Sequence, residues 1–248
     1  MENLIYRTTE LEKYFSQNRI RWNQFYESER LVIEKTAPVA TSTVLDIGCG
    51  CAGLGLALRE RFGVTCYTGI EINADASASA KKLYPEAHIL SGDFLSMDHD
   101  VVTEESYDLV FSLSCIDWNL TFDAMLAKAW SMVKPGGAFI ASFRLTSGDG
   151  INDIEQSYQY INYDGDRTGE IAPYVVVNAA GLMAQLMALN AGRVFGYGYY
   201  GPPSKTAITP FKQLCFAVMA VQKAYGTGNM EIDLRLPVDI ARSLIKGA

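Results

Sequence analysis

The chain has 248 residues, 49% of them hydrophobic, enough for one sizeable core in a single α/β domain. A formal net charge of −7 without clustered Lys and Arg is a poor footprint for a phosphate backbone, so no nucleic-acid partner is expected. The N-terminal stretch MENLIYRTTELEKYF is charged throughout, and no apolar run approaches the ~20 residues that span a bilayer; the expectation is a cytoplasmic protein with no membrane partner.

Residues 9–37 are rich in helix formers, with Leu11, Phe15, Trp22, Phe25, Leu31 and Ile33 at mostly helical spacing, and Pro38 ends the run. Thr43 to Ile47 is β-branched and apolar and reads as a buried strand. A helix over 54–62, a strand over 64–72 and a helix over 74–83 follow. Then come a short strand over 87–90, a strand over 107–114, a helix over 122–132 and a strand over 138–143. The helix over 122–132 is stopped by Lys134-Pro135-Gly136-Gly137. Five alternations of strand and helix argue for a parallel sheet covered on both faces. After Arg144 the rhythm breaks. Residues 145–177 are rich in Tyr, Asp, Gly and Asn, and so long a connection is usually functional. A helix over 178–189, strands over 193–200 and 214–222, and a helix over 237–245 complete the chain. That last helix is the candidate contact of a homodimer. The organisation expected is one domain: an N-terminal helical cap (1–40), a cofactor-binding half (41–144), a lid or substrate insertion (145–178) and the rest of the sheet with its tail (179–248).

Gly48, Gly50 and Gly53 match G-x-G-x-x-G between a strand and a helix. Small residues there allow a tight turn and close backbone approach, and the helix start offers free N–H groups. The pattern alone suits NAD, FAD or S-adenosylmethionine. Glu71, ending the second strand, can accept from both hydroxyls of a ribose and so points to an adenosine. Asp46 precedes the first glycine. Beside a pyrophosphate it would be repelled, whereas a sulfonium and an α-amino group would attract it. Asp93, after the third strand, can accept from an adenine amino group. Five cysteines, an odd number, suggest free thiols. With only His88 and His99 in the chain and no second cysteine pair beside Cys49 and Cys51, no metal site is expected.

The segments Val44-Leu-Asp-Ile-Gly-Cys-Gly50, Gly69-Ile-Glu-Ile72, Ser91-Gly-Asp-Phe94, Tyr107-Asp-Leu-Val-Phe111 and Val133-Lys-Pro-Gly-Gly137 give the specific signal. In this order and spacing, over about residues 40–145, the chain resembles the class I S-adenosylmethionine-dependent methyltransferases of the small-molecule type. The resemblance implies a seven-stranded Rossmann-like sheet with its last strand antiparallel. It also implies S-adenosylmethionine as cofactor and S-adenosylhomocysteine as product. By the same resemblance Asp46 and Gly48 lie along the methionine part, Glu71 holds the ribose, and Cys49 and Gly50 line the cradle. Asp93 and the Phe94 backbone hold the adenine, with Ile72 against the ring. Ser112 joins them from the fourth strand. Trp22, with Arg19, Arg21 and Tyr26, closes over the cofactor as N-terminal helices do in many such members, with core packing of this amphipathic stripe as the structural alternative. Cys51-Ala52 departs from the family's more usual small or polar pair.

For the acceptor, the chain past the fourth strand is the first place to look, because ligands bind at the carboxyl ends of parallel strands. Asp117 is the candidate general base or substrate anchor, with helix capping as its structural alternative. Trp118 either walls the pocket or packs. Arg144, after the fifth strand, is placed to meet an anionic acceptor group, with a surface ion pair as its structural alternative. Tyr158 in the lid and Tyr199 in a second aromatic cluster offer flat faces with hydroxyl tips. His99 reads as surface and His88 as structural. The reading is methyl transfer to a small polar metabolite or an activated sugar or glycan precursor, O-methylation being preferred because Asp117 offers a base. A nicotinamide-dependent oxidoreductase on the same glycine loop and a non-catalytic cofactor-binding subunit are the rivals.

Overall fold

The computed structural model describes residues 3–98, 101–189, 191–225 and 230–247. His99 lies outside the described residues. The elements in chain order are α1 (Glu10–Phe15), a 3-10 turn (Trp22–Gln24), α2 (Glu27–Lys35), β1 (Thr43–Ile47), α3 (Gly53–Phe62), β2 (Cys66–Glu71), α4 (Ala74–Leu83) and β3 (His88–Ser91). They continue with β4 (Tyr107–Ser112), α5 (Phe122–Ser131), β5 (Val133–Thr146), β6 (Tyr158–Tyr160), β7 (Ile171–Pro173), β8 (Val177–Asn178) and α6 (Ala179–Ala188). The last are β9 (Ala191–Gly201), β10 (Ala207–Ile208), β11 (Leu214–Lys223), β12 (Glu231–Arg235) and α7 (Val238–Gly247).

The main sheet runs β12-β9-β11-β5-β4-β1-β2-β3. β1 to β5 are mutually parallel, and β11 lies antiparallel between β5 and β9. The seven expected strands are therefore present in a Rossmann-like arrangement, the last of them antiparallel. Two additions were not foreseen. β12 extends the edge parallel to β9, and the short β8 pairs with the end of β5. β12 reads Glu-Ile-Asp-Leu-Arg, and the alternation of Ile232 and Leu234 with charged residues is a strand pattern that could have found it.

Side chains alternate across the sheet with the two-residue period of a strand. Leu45, Ile47, Phe139, Ala141, Phe143 and Met219 pack with α5, α6 and α7. Val44, Leu109, Phe111, Ile140 and Val218 pack with α2, α3 and α4. Burial on both faces explains why these strands are continuously apolar. In α7, Ile240 and Leu244 are fully buried in this core, so the helix read as a dimer contact uses its apolar face internally.

Three expectations change. The N-terminal run is not one helical stretch. Arg19 takes a left-handed backbone (φ +61°), and its guanidinium makes two hydrogen bonds to Glu29, at 3.0 and 2.8 Å. That pair folds the chain back and separates α1 from α2. Lys134 to Gly137 belongs to β5 rather than to a turn before it. The register against β4 shifts between Tyr107 and Leu109, and the bulge absorbs Pro135 and Gly136 (φ +80°). The lid is not confined to 145–178, because β6 and β7 form an antiparallel sheet with β10, which comes from the loop between β9 and β11.

Phe139 is fully buried at the middle of β5. Phe139→Ala should cost about 3–5 kcal/mol of stability in chemical denaturation, as aromatic truncations in a packed core do. A loss below about 1 kcal/mol would mean that the sheet core is looser than this packing implies.

Candidate active site

β1 ends in a loop that only small residues fit. Gly48 (φ +74°) and Gly50 (φ +55°) take left-handed backbones, and a Cβ on Gly48 would stand 2.4 Å from the Cys115 Sγ. Gly53 opens α3 where a Cβ would meet the Arg19 carbonyl oxygen at 2.0 Å, so the N-terminal segment rests directly on this helix. The Gly48 and Cys49 N–H groups donate to the Ile70 carbonyl at 2.8 and 3.0 Å, tying the loop to β2.

Glu71 is buried at the end of β2. Its carboxylate accepts the Gly50 N–H at 2.7 Å through Oε2 and the Asn73 N–H at 2.8 Å through Oε1. Burial pushes its carboxyl up, while the Asn73, Gly50 and Ile72 N–H groups oppose that shift. Each oxygen retains a second acceptor position. Asp46, at the end of β1, is also buried and accepts the Tyr67 hydroxyl at 2.6 Å. Burial pushes Asp46 up to about 7, opposed by the Tyr67 hydrogen bond and the Arg19 charge.

Asp46, Gly48, Cys49, Gly50, Glu71, Ile72, Asp93 and Phe94 line one cleft. Its floor is the carboxyl edge of the parallel strands. Its roof is an N-terminal strap, from which Asn3, Tyr6, Leu11, Phe15 and Arg19 reach in. The Asn3 backbone N–H and side-chain amide donate to the Asp93 carboxylate at 3.1 and 2.7 Å. The Tyr6 hydroxyl donates to the Trp118 carbonyl at 3.2 Å, and the Asn73 amide donates to the Tyr6 and Thr8 carbonyls at 2.9 and 3.0 Å. The Arg7 and Thr8 N–H groups donate to Glu170 at 3.0 and 2.9 Å. With this roof in place the cleft keeps about 120 Å³.

Two expected cofactor residues stand elsewhere. Trp22 packs edge-on against Phe62, with ring centroids 5.2 Å apart, because its 3-10 turn faces α3 rather than the cleft. Arg19 and Phe15 occupy the roof instead. Ser112 is buried within β4 and does not line the cleft.

A second cavity of about 610 Å³ opens beside the first and shares Leu11, Phe15, Arg19, Ser114 and Trp118 with it. Trp118 therefore walls both spaces. Tyr160, Tyr163, Tyr174, Tyr199 and Phe216 line the second one. Tyr158 does not; it shares a face of β6 with Tyr160 and packs against that ring at 5.6 Å.

Asp117 and Arg144, read separately from the sequence, form a buried pair in this cavity. The Arg144 Nε donates to Asp117 Oδ2 at 2.6 Å and Nη2 donates to the Asp117 carbonyl at 2.8 Å. The Tyr174 ring lies 3.8 Å from the guanidinium carbon. Asp117 is not a cap of α5, whose cap position is Thr121. Nor does it stand free as a base: protonating it would break a buried ion pair, and such pairs are costly to break from one side. Arg19–Glu29, Tyr67, Asn3 and Tyr174 gave no local signal in the sequence, since each matters through a partner distant in the chain.

A protein-family profile described as a methyltransferase domain matches residues 44–137. The 18S rRNA (guanine(1575)-N(7))-methyltransferase of Saccharomyces cerevisiae is 25% identical over 65% of this chain and 62% of its own length. A malonyl-[acyl-carrier protein] O-methyltransferase of Marinomonas sp. is 24% identical over 62% of each chain. The matched region thus spans about three fifths of these relatives. A SAM-dependent methyltransferase structure from Methanosarcina mazei superposes with a TM-score of 0.59 at 16% identity, over 82% of this chain and 99% of that one, a likeness of fold.

Asp46 also makes stability depend on pH. Its folded value of about 7 lies above the ordinary aspartate value of 3.8, so between about pH 4 and 7 the folded state holds more protons than the unfolded one. Its contribution is therefore fully present below that window and lost as pH rises through 7. From pH 6 to pH 8 the ligand-free protein should lose roughly 1 kcal/mol, about 2–4 °C in calorimetric Tm. Asp46→Asn should flatten that slope. An unchanged slope would place the proton elsewhere.

Proposed function

We propose that the chain, whose residues 44–137 match a methyltransferase-domain profile, transfers a methyl group from S-adenosylmethionine to a small polar acceptor in the lidded cavity. The observation that carries the proposal is the junction of the two spaces. The glycine-loop cleft and the tyrosine-walled cavity meet at Ser114, Phe15 and Trp118, where a donor in one would face an acceptor in the other.

The cleft residues fit the donor. Glu71 keeps acceptor positions for ribose hydroxyls, and Asp46, ionised above about pH 7, offers a negative charge to the cationic methionine end. Asp93 suits an adenine amino group once Asn3 has yielded its place. The donor brings an electrophilic methyl on a sulfonium. The chain's own contribution is alignment and exclusion of water, which can together supply several kcal/mol.

The cavity supports a small polar metabolite or sugar-like acceptor, with flat tyrosine walls and hydroxyl tips. A net charge of −7 favours such a ligand over RNA, although the yeast relative is named for an rRNA substrate. Among the described residues no helix is long and apolar enough to cross a membrane. With Asp117 held by Arg144, the case for O-methylation of a hydroxyl through that base is withdrawn. The favoured acceptor atom is one that reacts without deprotonation, a neutral amine or an anionic oxygen.

Titration calorimetry with S-adenosylhomocysteine and with NAD tests the reading. Binding of the first and not the second is expected; NAD binding alone would make the chain an oxidoreductase. Asn3→Ala should tighten S-adenosylhomocysteine about fivefold, since a charge-assisted contact no longer has to be displaced from Asp93. An unchanged Kd would mean that the strap does not compete there.

A further inference from the structure

The Arg144 guanidinium is prepared for a ligand that the chain itself does not provide. Its Nε–Nη2 edge is committed to Asp117, and one face is covered by Tyr174. Arg144 is only 3% exposed and lines the larger cavity, yet its buried Nη1 has no hydrogen-bond partner. The Asp117 Oδ1, in the same cavity, is equally buried and equally unpartnered. Buried donors and acceptors left unmade are costly, more so when charged.

We propose that the lidded cavity binds an organic carboxylate carrying a 2-hydroxyl or 2-amino group and an apolar body. This rests on the cavity being the acceptor site. The carboxylate accepts from Arg144 Nη1 in a charge-assisted hydrogen bond. The 2-substituent donates to Asp117 Oδ1, and the body lies against Tyr160, Tyr199 and Phe216. A phosphate dianion fits less well, because the Asp117 carboxylate already balances the guanidinium and would repel a second negative charge. A neutral ester or amide offers Nη1 only a carbonyl oxygen, a weaker acceptor than a carboxylate.

The β5 period explains how an arginine comes to be here. Ala138, Ile140, Ser142 and Arg144 share one face, apolar at its start and polar at its end. Across the ladder Ser142 faces Val218 and Arg144 faces Phe216, and both partners also line the cavity. Arg144 is thus the terminal residue of a core-facing row, held at the point where the core opens into a cavity.

Ligand-observed saturation-transfer NMR on the full chain tests this, with 3-phenyllactate, its methyl ester, its primary amide and phenyl phosphate as probes. Binding is measured with and without S-adenosylhomocysteine. 3-Phenyllactate should bind at least about tenfold more tightly than the ester, the amide or phenyl phosphate. Arg144→Met should lose about tenfold or more, with Arg144→Lys intermediate, while S-adenosylhomocysteine binding is kept. Equal binding of acid and ester, tighter binding of phenyl phosphate, or no binding of 3-phenyllactate at about 10 mM would overturn the proposal. So would an Arg144→Met variant that binds as the parent does. If Arg144→Met does not fold, the four-probe series on the parent chain decides alone. Loss of S-adenosylhomocysteine binding in the parent chain would count against the methyltransferase reading, and the carboxylate series would still stand or fall by itself.

Discussion

One buried carboxylate organises the functional half of this fold. Glu71 ends β2 and accepts the N–H of Gly50 on one oxygen and that of Asn73 on the other. The first contact holds the left-handed glycine loop against the neighbouring strand. The second sets the turn into α4, where the Asn73 side chain caps the helix through the Ala76 N–H at 2.9 Å. The Asn73 amide then holds the strap carbonyls of Tyr6 and Thr8. A charge removed from water is tolerable only when it is met by donors, and here two backbone groups meet it directly. The loop, the α4 start and the strap therefore depend on an acid at this position.

The parallel half was legible because its signals are local. Thr43 to Ile47 and Ala74 to Leu83 occur with the bounds read from the sequence, since a buried strand and a capped amphipathic helix each carry their pattern within about ten residues. What escaped was decided by distant partners. The run over 9–37 has helical spacing, but the Arg19–Glu29 pair and a left-handed Arg19 break it. The lid sheet is built from strands of two or three residues, too short for any period to show. Trp22 had the right chemistry for a cofactor wall, and only the path of its turn sends it to Phe62.

Asp117 and Arg144 mark the boundary of what a sequence alone could give. Asp117 was read correctly as standing beyond the carboxyl end of β4, whereas Arg144, expected to follow the fifth strand, lies inside β5, which runs on to Thr146. β4 and β5 are neighbours, so the topology already brought an acid and a guanidinium to adjacent strand ends. Considered singly, the acid suggested a base and the arginine an anion site. As a pair they argue against the first role, because Asp117 takes the Nε–Nη2 edge of Arg144 and leaves only Nη1 without a partner.

The strap gives the two spaces a common wall. Asn3 holds Asp93 at the cleft, and the Arg7 and Thr8 N–H groups hold Glu170 just before β7 in the lid. Only Leu4, Ile5 and Tyr6 therefore separate a contact in the cleft from one at Glu170. The Tyr6 hydroxyl, whose ionisation burial strongly opposes, fixes the middle to Trp118 on the wall between the spaces. Any group that takes Asp93 from Asn3 must move one end of this segment, while Asn73 resists movement of the rest. Displacement at the cleft is then borne over the few residues between Asn3 and Tyr6, or else passed on to Trp118 and Glu170. Short, doubly anchored chain has little slack with which to absorb it. The glycine-loop cleft and the second cavity are in this way mechanically linked through one segment of backbone.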